Sequence, residues 1–257
     1  MASTKTYKLK GIVLRKTKLA DKDLIITILA ESGEECRAVA KGARKPGGSL
    51  AARLELFTTC DLMLAKGRSL DVVTEARISP GCDMKTLGLE QSACASVVAE
   101  LICHVAQQGL EQPRLFDMTA AAFSAIAQER PEQALLVTVA DLIKTMALMG
   151  YRPSLSSCIS CGRAIEYDRD DMRIPVSIID GGVVCPSCPR PSDSVLIEPG
   201  IAQWHNALLT STFSEIATFK IDLSTTFDLL QFVRQWIRVH MGRDLKSFDF
   251  LFTAGIF

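Results

Sequence analysis

The chain has 257 residues, of which 48% are hydrophobic and 23% charged, a composition typical of a globular protein and not of a disordered one. It contains no apolar run long enough for a transmembrane helix, and the polar, basic segment 1–10 lacks the apolar core of a secretory signal. We therefore expect a cytoplasmic protein.

The formal net charge of +0 hides an asymmetry, because residues 1–80 carry 15 Lys and Arg against 9 Asp and Glu. This basic first third indicates a polyanionic partner for that part of the chain.

The first 80 residues predict β-strands joined by short turns. Alternating and β-branched apolar stretches, which are typical of strands, lie at 7–14, 24–30, 35–40, 57–64 and 70–77. Five short strands with one longer connection favour a small barrel. That connection, Lys41–Ser49 (KGARKPGGS), carries three cations, and its glycine and proline content predicts a mobile loop.

After residue 80 the apolar spacing changes to that of amphipathic helices. Helical patterns cover 89–108, 113–128, 132–149 and 224–241, and helical signals resume near Pro199. Residues 151–193 are rich in Cys, Pro, Gly and Asp and poor in periodicity. The sequence therefore predicts an α+β protein with a barrel over 1–80, a helical domain over 81–150 and 194–257, and an inserted module over 151–193.

Two C-x-x-C pairs lie in the inserted module, Cys158 with Cys161 and Cys185 with Cys188, separated by 23 residues. Two residues between ligands let both thiolates reach one tetrahedral ion, and a hairpin over 173–184 would absorb the length of the spacer. The pattern favours one structural zinc ion per chain, held by these four cysteines. A thioredoxin-like dithiol and a catalytic zinc fit less well. A rubredoxin-like iron centre remains the alternative, because the C-x-x-C turns that bind iron look like those that bind zinc.

No constellation of catalytic residues is recognisable in the sequence. His104, His205 and His240 lie far apart in helical stretches, and the glycine motifs of phosphate loops and dinucleotide-binding folds do not occur. We therefore expect a protein that is not an enzyme.

The cations of the first 80 residues are candidates for contacts to nucleic-acid phosphates. They are Lys8, Lys10, Arg15, Lys16, Lys18, Lys41, Arg44, Lys45, Arg53 and Arg68, with Lys66 beside them. Only two aromatic residues, Tyr7 and Phe57, occur in the same stretch. Phosphate contacts should therefore outweigh base stacking, and binding should not depend on sequence. For any single lysine, a solvated surface position is the alternative interpretation.

Several stretches together resemble the bacterial RecO family. In the barrel they are Lys10-Gly-Ile-Val-Leu14, Asp21-Lys-Asp-Leu-Ile25 and Ala38-Val-Ala-Lys-Gly-Ala-Arg-Lys-Pro46. Later landmarks are Gly150-Tyr-Arg-Pro153, the Cys158-x-x-Cys161-Gly162 knuckle and Arg243-Asp-Leu-Lys-Ser247. The order of barrel, helices, zinc insertion and helices also matches, so the resemblance covers essentially the whole chain.

The resemblance implies that the barrel is an OB-fold and that the protein is a recombination mediator in DNA repair. Such a protein binds single- and double-stranded DNA, anneals complementary strands, and with RecR helps load RecA onto DNA coated by single-strand-binding protein. It would work in the cytoplasm, at the nucleoid. A protein-interaction adaptor with a structural zinc, and an iron redox protein, are the competing hypotheses.

Overall fold

The computed structural model of the protein describes residues 5–19, 21–45, 49–80, 84, 87–167 and 173–257. The chain divides into two compact units, Met1–Gln128 and Glu129–Gly255, with Ile256 assigned to the first and Phe257 to the second. This division puts residues 81–128 in the same unit as the barrel, whereas the sequence grouped them with the later helices. The domain boundaries drawn from the sequence stay a prediction.

Five strands form a closed barrel in the order β1-β2-β3-β5-β4. They are β1 (Thr6–Lys18), β2 (Leu24–Ala30), β3 (Glu35–Ala40), β4 (Thr59–Ala65) and β5 (Asp71–Ile78). All neighbouring pairs are antiparallel except β3 with β5. The predicted α+β class with a five-stranded N-terminal barrel is confirmed.

Strand β1 is longer than its apolar pattern predicted, because it continues past Leu14 to Lys18. Its first half pairs with β4 and its second half with β2, and the register shifts between Val13 and Arg15. Such a bulge bends the strand and increases its twist, which lets one strand serve two neighbours around the barrel. As a result, Arg15, Lys16 and Lys18 belong to a strand and not to a turn.

The barrel is filled by inward-facing aliphatic side chains and is covered at one end by a short helix. Val13, Ile26, Ile28 and Leu64 are fully buried in its core. Helix α1 (Ser49–Arg53), which the sequence did not predict, brings Leu50 against this core. Helices α2 (Leu89–Val105) and α3 (Pro113–Gln128) complete the first unit and contact β1.

The second unit is mostly helical. Its helices are α4 (Pro131–Leu148), α5 (Pro199–Thr210), α6 (Phe213–Ile216), α7 (Leu223–Met241) and α8 (Lys246–Thr253). Helix α4 contacts α5, α6 and α7 and is buried over most of its length. Gly242 ends α7 in the left-handed conformation, at φ 66°, as expected for a residue without a Cβ. Within the described residues, no helix combines the length and hydropathy needed to cross a bilayer.

Candidate metal centre and nucleic-acid interface

A small sheet in the second unit supports the four paired cysteines. It has the order β7-β6-β8, with β6 (Ile174–Ser177), β7 (Gly182–Val183) and β8 (Val195–Ile197). The predicted hairpin is present, since β6 pairs with β7 in antiparallel fashion. It carries the chain back toward the first cysteine pair, where the Ile159 N–H donates to the Val183 carbonyl at 2.9 Å. The spacer between the two pairs is therefore closed by this hairpin.

Each cysteine pair sits in a tight turn. At the first, Gly162 has φ +75°, and its N–H donates to the Cys158 carbonyl at 2.8 Å. At the second, the Cys188 N–H donates to the Cys185 carbonyl at 3.0 Å. Both turns direct two side chains of one pair to the same side, because the chain reverses within four residues.

The four thiol sulfurs form one cluster. The Sγ atoms of Cys158, Cys161, Cys185 and Cys188 all lie within 4.8 Å of one another, and those of Cys161 and Cys185 are 3.7 Å apart. Tetrahedral zinc with bonds of about 2.3 Å would put its sulfur ligands about 3.8 Å apart, whereas a disulfide needs about 2.05 Å. The cluster therefore has the dimensions of a metal site and not of a disulfide.

The surroundings of the cluster favour thiolate at Cys158. The Cys185 N–H donates to the Cys158 sulfur at 3.3 Å, and such backbone donors lower the pKa of Cys158 to about 6. At Cys188, hydrogen bonds of the thiol to the Cys185 and Cys161 sulfurs raise the pKa to about 12, and repulsion by the charge of the nearby Cys158 thiolate adds to this rise. A bound cation removes that repulsion, so an all-sulfur donor set of this kind fits a thiophilic metal ion.

In the first unit, the strand register brings cations from two distant segments to one end of the barrel. Lys18 pairs with Leu24, and Leu24 pairs in turn with Ala40, the residue before Lys41. We call this surface the basic end and define it by five exposed cations, Lys18, Lys22, Lys41, Arg44 and Lys45. Lys22, which lies between Asp21 and Asp23 in the sequence, was not among the predicted cations.

The connection after β3 is anchored, contrary to the mobile loop that we predicted for Lys41–Ser49. Ala43 is only 2% exposed and belongs to the barrel core. The Lys45 N–H donates to the Gly42 carbonyl at 3.0 Å, and the Arg44 N–H donates to the Lys22 carbonyl at 3.0 Å. Buried packing and backbone hydrogen bonds therefore hold 41–45, and residues 46–48 lie outside the described part of the chain.

The remaining predicted cations are dispersed around the barrel. Lys16 is half-buried and forms an ion pair of 2.6 Å with Glu55. Burial raises the pKa of Cys103, on α2, to about 11, and the charge of the Arg15 guanidinium opposes this rise. Arg15 therefore lies beside α2. The Arg53 guanidinium donates to the Ala76 carbonyl at 3.3 Å.

Lys8 and Lys10 lie on the half of β1 that pairs with β4. Lys8 is separated from Lys18 by about 30 Å of strand, and Lys10 forms an ion pair of 2.9 Å with Glu31. Arg68 is exposed between β4 and β5, where Lys66 pairs with Asp71 at 2.9 Å. Of the predicted cations outside the basic end, Lys10, Lys16 and Arg53 are thus engaged with protein groups.

The two aromatic residues of the barrel are also engaged. Phe57 is 6% exposed and its ring lies 5.2 Å from that of Phe123. The Tyr7 hydroxyl donates to Asp71, and the Lys66 ammonium lies 4.4 Å from the centre of its ring. Neither ring is available to stack on a base, as their scarcity in the sequence suggested.

A closed five-stranded barrel with a basic end, followed by helices and a four-cysteine cluster, defines a class of barrel-and-helix proteins with a candidate metal site. Comparison with known families then identifies the member. The family models described as Recombination protein O N terminal and Recombination protein O C terminal match residues 1–80 and 87–249. The chain belongs to the RecO family.

Individual relatives agree over nearly the whole length. The chain is 31% identical over 245 residues to the DNA repair protein RecO of Bifidobacterium longum (strain DJO10A), covering 94% of this chain and 96% of that one. It is 31% identical over 252 residues to the protein of the same name from Frankia casuarinae, covering 96% and 99%. The resemblance seen in the sequence is confirmed, and it supports a role in DNA repair.

Proposed function

We propose that this protein is a recombination mediator that binds single- and double-stranded DNA and anneals complementary strands. With RecR, it would help load RecA onto DNA coated by single-strand-binding protein, working in the cytoplasm at the nucleoid. It acts by binding and not by covalent catalysis. The observation that carries this proposal is the basic end, where five exposed cations from the end of β1, the β1–β2 turn and the connection after β3 lie together in a family of DNA repair proteins.

The chemistry of the basic end suits the phosphate backbone better than the bases. Within the described ranges, Lys18, Lys22, Lys41 and Lys45 form no ion pair that would compete with a phosphate. The barrel offers no free aromatic ring as a stacking platform. Binding of this kind is insensitive to sequence, which is what a protein needs if it anneals any two complementary strands.

A triple substitution tests the interface. We expect Lys41, Arg44 and Lys45 changed together to Ala to weaken binding of an oligothymidine strand by about tenfold or more, and annealing with it, because three phosphate contacts are lost. The unfolding free energy should change by only about 0.5 kcal/mol, since the backbone bonds and the Ala43 contact remain. Binding titrations and a thermal melt give the two readouts.

A matched control removes three exposed cations elsewhere on the barrel, Lys8, Arg68 and Arg77. It has the same net charge as the triple variant and should bind the strand several-fold more tightly than that variant does. Equal loss in both would mean that diffuse charge and not the basic end binds DNA. Normal binding in both would mean that DNA binds outside these six cations, and no binding by the wild type would favour the interaction adaptor.

Salt dependence gives an independent prediction. If about four phosphates are neutralised, the logarithm of the affinity for single strands should fall against the logarithm of salt concentration with a slope near −3. Strands of different base composition should give nearly the same slope, because no ring or recognition helix contacts the bases. Titrations at several salt concentrations measure it. A flat response would contradict phosphate binding.

For the metal, we propose one structural zinc ion per chain, held by Cys158, Cys161, Cys185 and Cys188. A closed set of four thiolates leaves no open coordination position for a substrate. The ion would therefore stabilise the module and perform no chemistry.

Strand annealing with and without single-strand-binding protein, followed by loading assays with RecR and RecA, tests the mediator activity itself.

A further inference from the structure

The basic end is assembled from two segments that hydrogen bonds join. The β1–β2 turn contributes Asp21, Lys22 and Asp23, and the connection after β3 contributes Lys41–Lys45. Besides the bond between Arg44 and Lys22, the Arg44 guanidinium donates to the Asp21 carbonyl at 3.0 Å. The third bond is the shortest, since the Gly42 N–H donates to the Asp23 carboxylate at 2.7 Å. Of these three bonds between described residues, only the third is accepted by a side chain.

The Asp23 carboxylate binds the connection at the residue where its backbone turns. Gly42 has φ +67°, a conformation that costs other L-residues about 1–2 kcal/mol. Its N–H points to Asp23, and the cations Lys41 and Arg44 stand within two residues on either side. The bond that Asp23 accepts therefore holds the connection at the point from which those two side chains extend.

An anion at this place is unfavourable on charge alone. Asp23 lowers the positive potential of the basic end and repels the phosphates that the proposed function requires there. Asp21 has the same charge two residues away, but among the described residues only its backbone carbonyl, and not its carboxylate, accepts a hydrogen bond from the connection. The two acids thus separate the effect of charge from the effect of geometry.

We propose that Asp23 is a positioning residue for phosphate binding, which orders the connection so that cations of both segments, Lys22 included, engage one DNA backbone together. This inference rests on the proposed function. It extends the phosphate-binding surface to the β1–β2 turn and assigns to a carboxylate the task of preorganising it. Preorganised groups bind more tightly because less conformational freedom is lost on binding.

Two alanine variants give opposite predictions. Asp21→Ala removes a negative charge and no side-chain bond, so we expect it to bind an oligothymidine strand about twofold more tightly than the wild type. Asp23→Ala removes the same charge together with the bond to Gly42, and we expect about fivefold weaker binding. Pure electrostatics predicts tighter binding for both variants.

A third variant and a second readout isolate the hydrogen bond. Asp23→Asn removes the charge but keeps a side-chain oxygen that can accept the Gly42 N–H, so it should bind at least as tightly as the wild type. The salt slope does not depend on the fraction of folded protein. Losing about two phosphate contacts should make it shallower by about 1.4 on single strands in Asp23→Ala, and leave it unchanged in Asp21→Ala. Hydrogen exchange at the Gly42 amide should quicken in Asp23→Ala alone.

The outcomes are distinguishable from failure of the proposed function. If the wild type does not bind the strand, the proposed function is wrong. If the wild type binds and Asp23→Ala binds as tightly as Asp21→Ala with the same slope, DNA binding stands and the positioning role is wrong. Weaker binding by Asp23→Asn than by the wild type would also overturn it, because the acceptor would then not be what matters.

Discussion

Cys161→Ser is expected to abolish stoichiometric metal binding and to unfold the module around the cysteine cluster. Structural zinc contributes about 10–16 kcal/mol in small metal-dependent modules, and the core at the cysteine cluster is small, with Cys158, Val184 and Cys185 buried and few neighbours packed against them. The Cys161 side chain is exposed, so its replacement leaves no cavity and the loss reports on the metal. Elemental analysis of the purified protein should give one zinc per wild-type chain and less than one in the variant.

Thermal melting and DNA titration complete this experiment. The melting temperature of the variant should fall markedly, while affinity per folded molecule should change little, because the basic end belongs to the other compact unit. Cys36→Ser, a cysteine of the barrel, is the matched control and should retain its zinc. Native wild-type protein that lacks zinc and melts normally would contradict the prediction, and a visible thiolate-to-iron absorption would identify the ion as iron.

A buried carboxylate on α4 should make the second unit less stable as the pH rises. Asp141 is fully buried, and neither of its carboxylate oxygens has a hydrogen-bond partner within the described residues. Burial raises its pKa to about 7, although Lys144 and the Thr145 hydroxyl, both one turn further along the helix, oppose the shift. The Thr145 hydroxyl lies near the carboxylate but outside the geometry of a hydrogen bond. The Lys144 ammonium donates instead to the carbonyls of Leu209 and Ser211, at 2.8 and 2.6 Å.

The sign of the effect follows from the direction of the shift. The folded state binds the proton of the Asp141 carboxyl group more tightly than the unfolded chain does. The contribution to stability is therefore complete below about pH 4 and is lost as the pH rises to about 7, by about 1.4 kcal/mol per pH unit and about 4 kcal/mol in all. His205 acts in the opposite sense, because burial lowers its pKa to about 4 and the stability it contributes is lost as the pH falls.

Comparing the wild type with Asp141→Asn isolates the effect of the Asp141 carboxylate, because His205 is present in both proteins and its contribution cancels. Between pH 5 and pH 7, the free energy of unfolding of the wild type should fall relative to that of Asp141→Asn by about 1.4 kcal/mol per pH unit. Urea unfolding followed by tryptophan fluorescence measures it, since both tryptophans, Trp204 and Trp236, lie in the second unit. Asp228→Asn, an exposed carboxylate on α7, should show no such trend. A difference that stays constant with pH would mean that Asp141 is ionised in the folded protein.

Much of the fold was predictable because its signals are local. The period-two and period-3.6 apolar patterns located the five barrel strands and the long helices, with α3 matching its predicted bounds at 113–128. Helix α1 and the end of β1 were missed, because a one-turn helix has no period to detect and Arg15–Lys18 lacks apolar alternation.

The ligands of the candidate metal site could be named from the spacing of the cysteines alone. The C-x-x-C spacing places two sulfurs of a pair within reach of one ion whatever surrounds them, and two such pairs in a segment without periodicity left few other interpretations. The resemblance to the RecO family was likewise recognisable from short stretches of sequence that follow one another in the family's order.

Which cations lie together depends on the packing of the whole barrel. Lys18 and Lys41 are neighbours because of the register of β1, β2 and β3, and the ion pair of Lys16 with Glu55 joins β1 to the segment between α1 and β4. The burial of Ala43 and the bond from Gly42 to Asp23 likewise join segments about 20 residues apart in the chain. Strand pairing and closure depend on all five strands at once, so no local spacing of residues determines them.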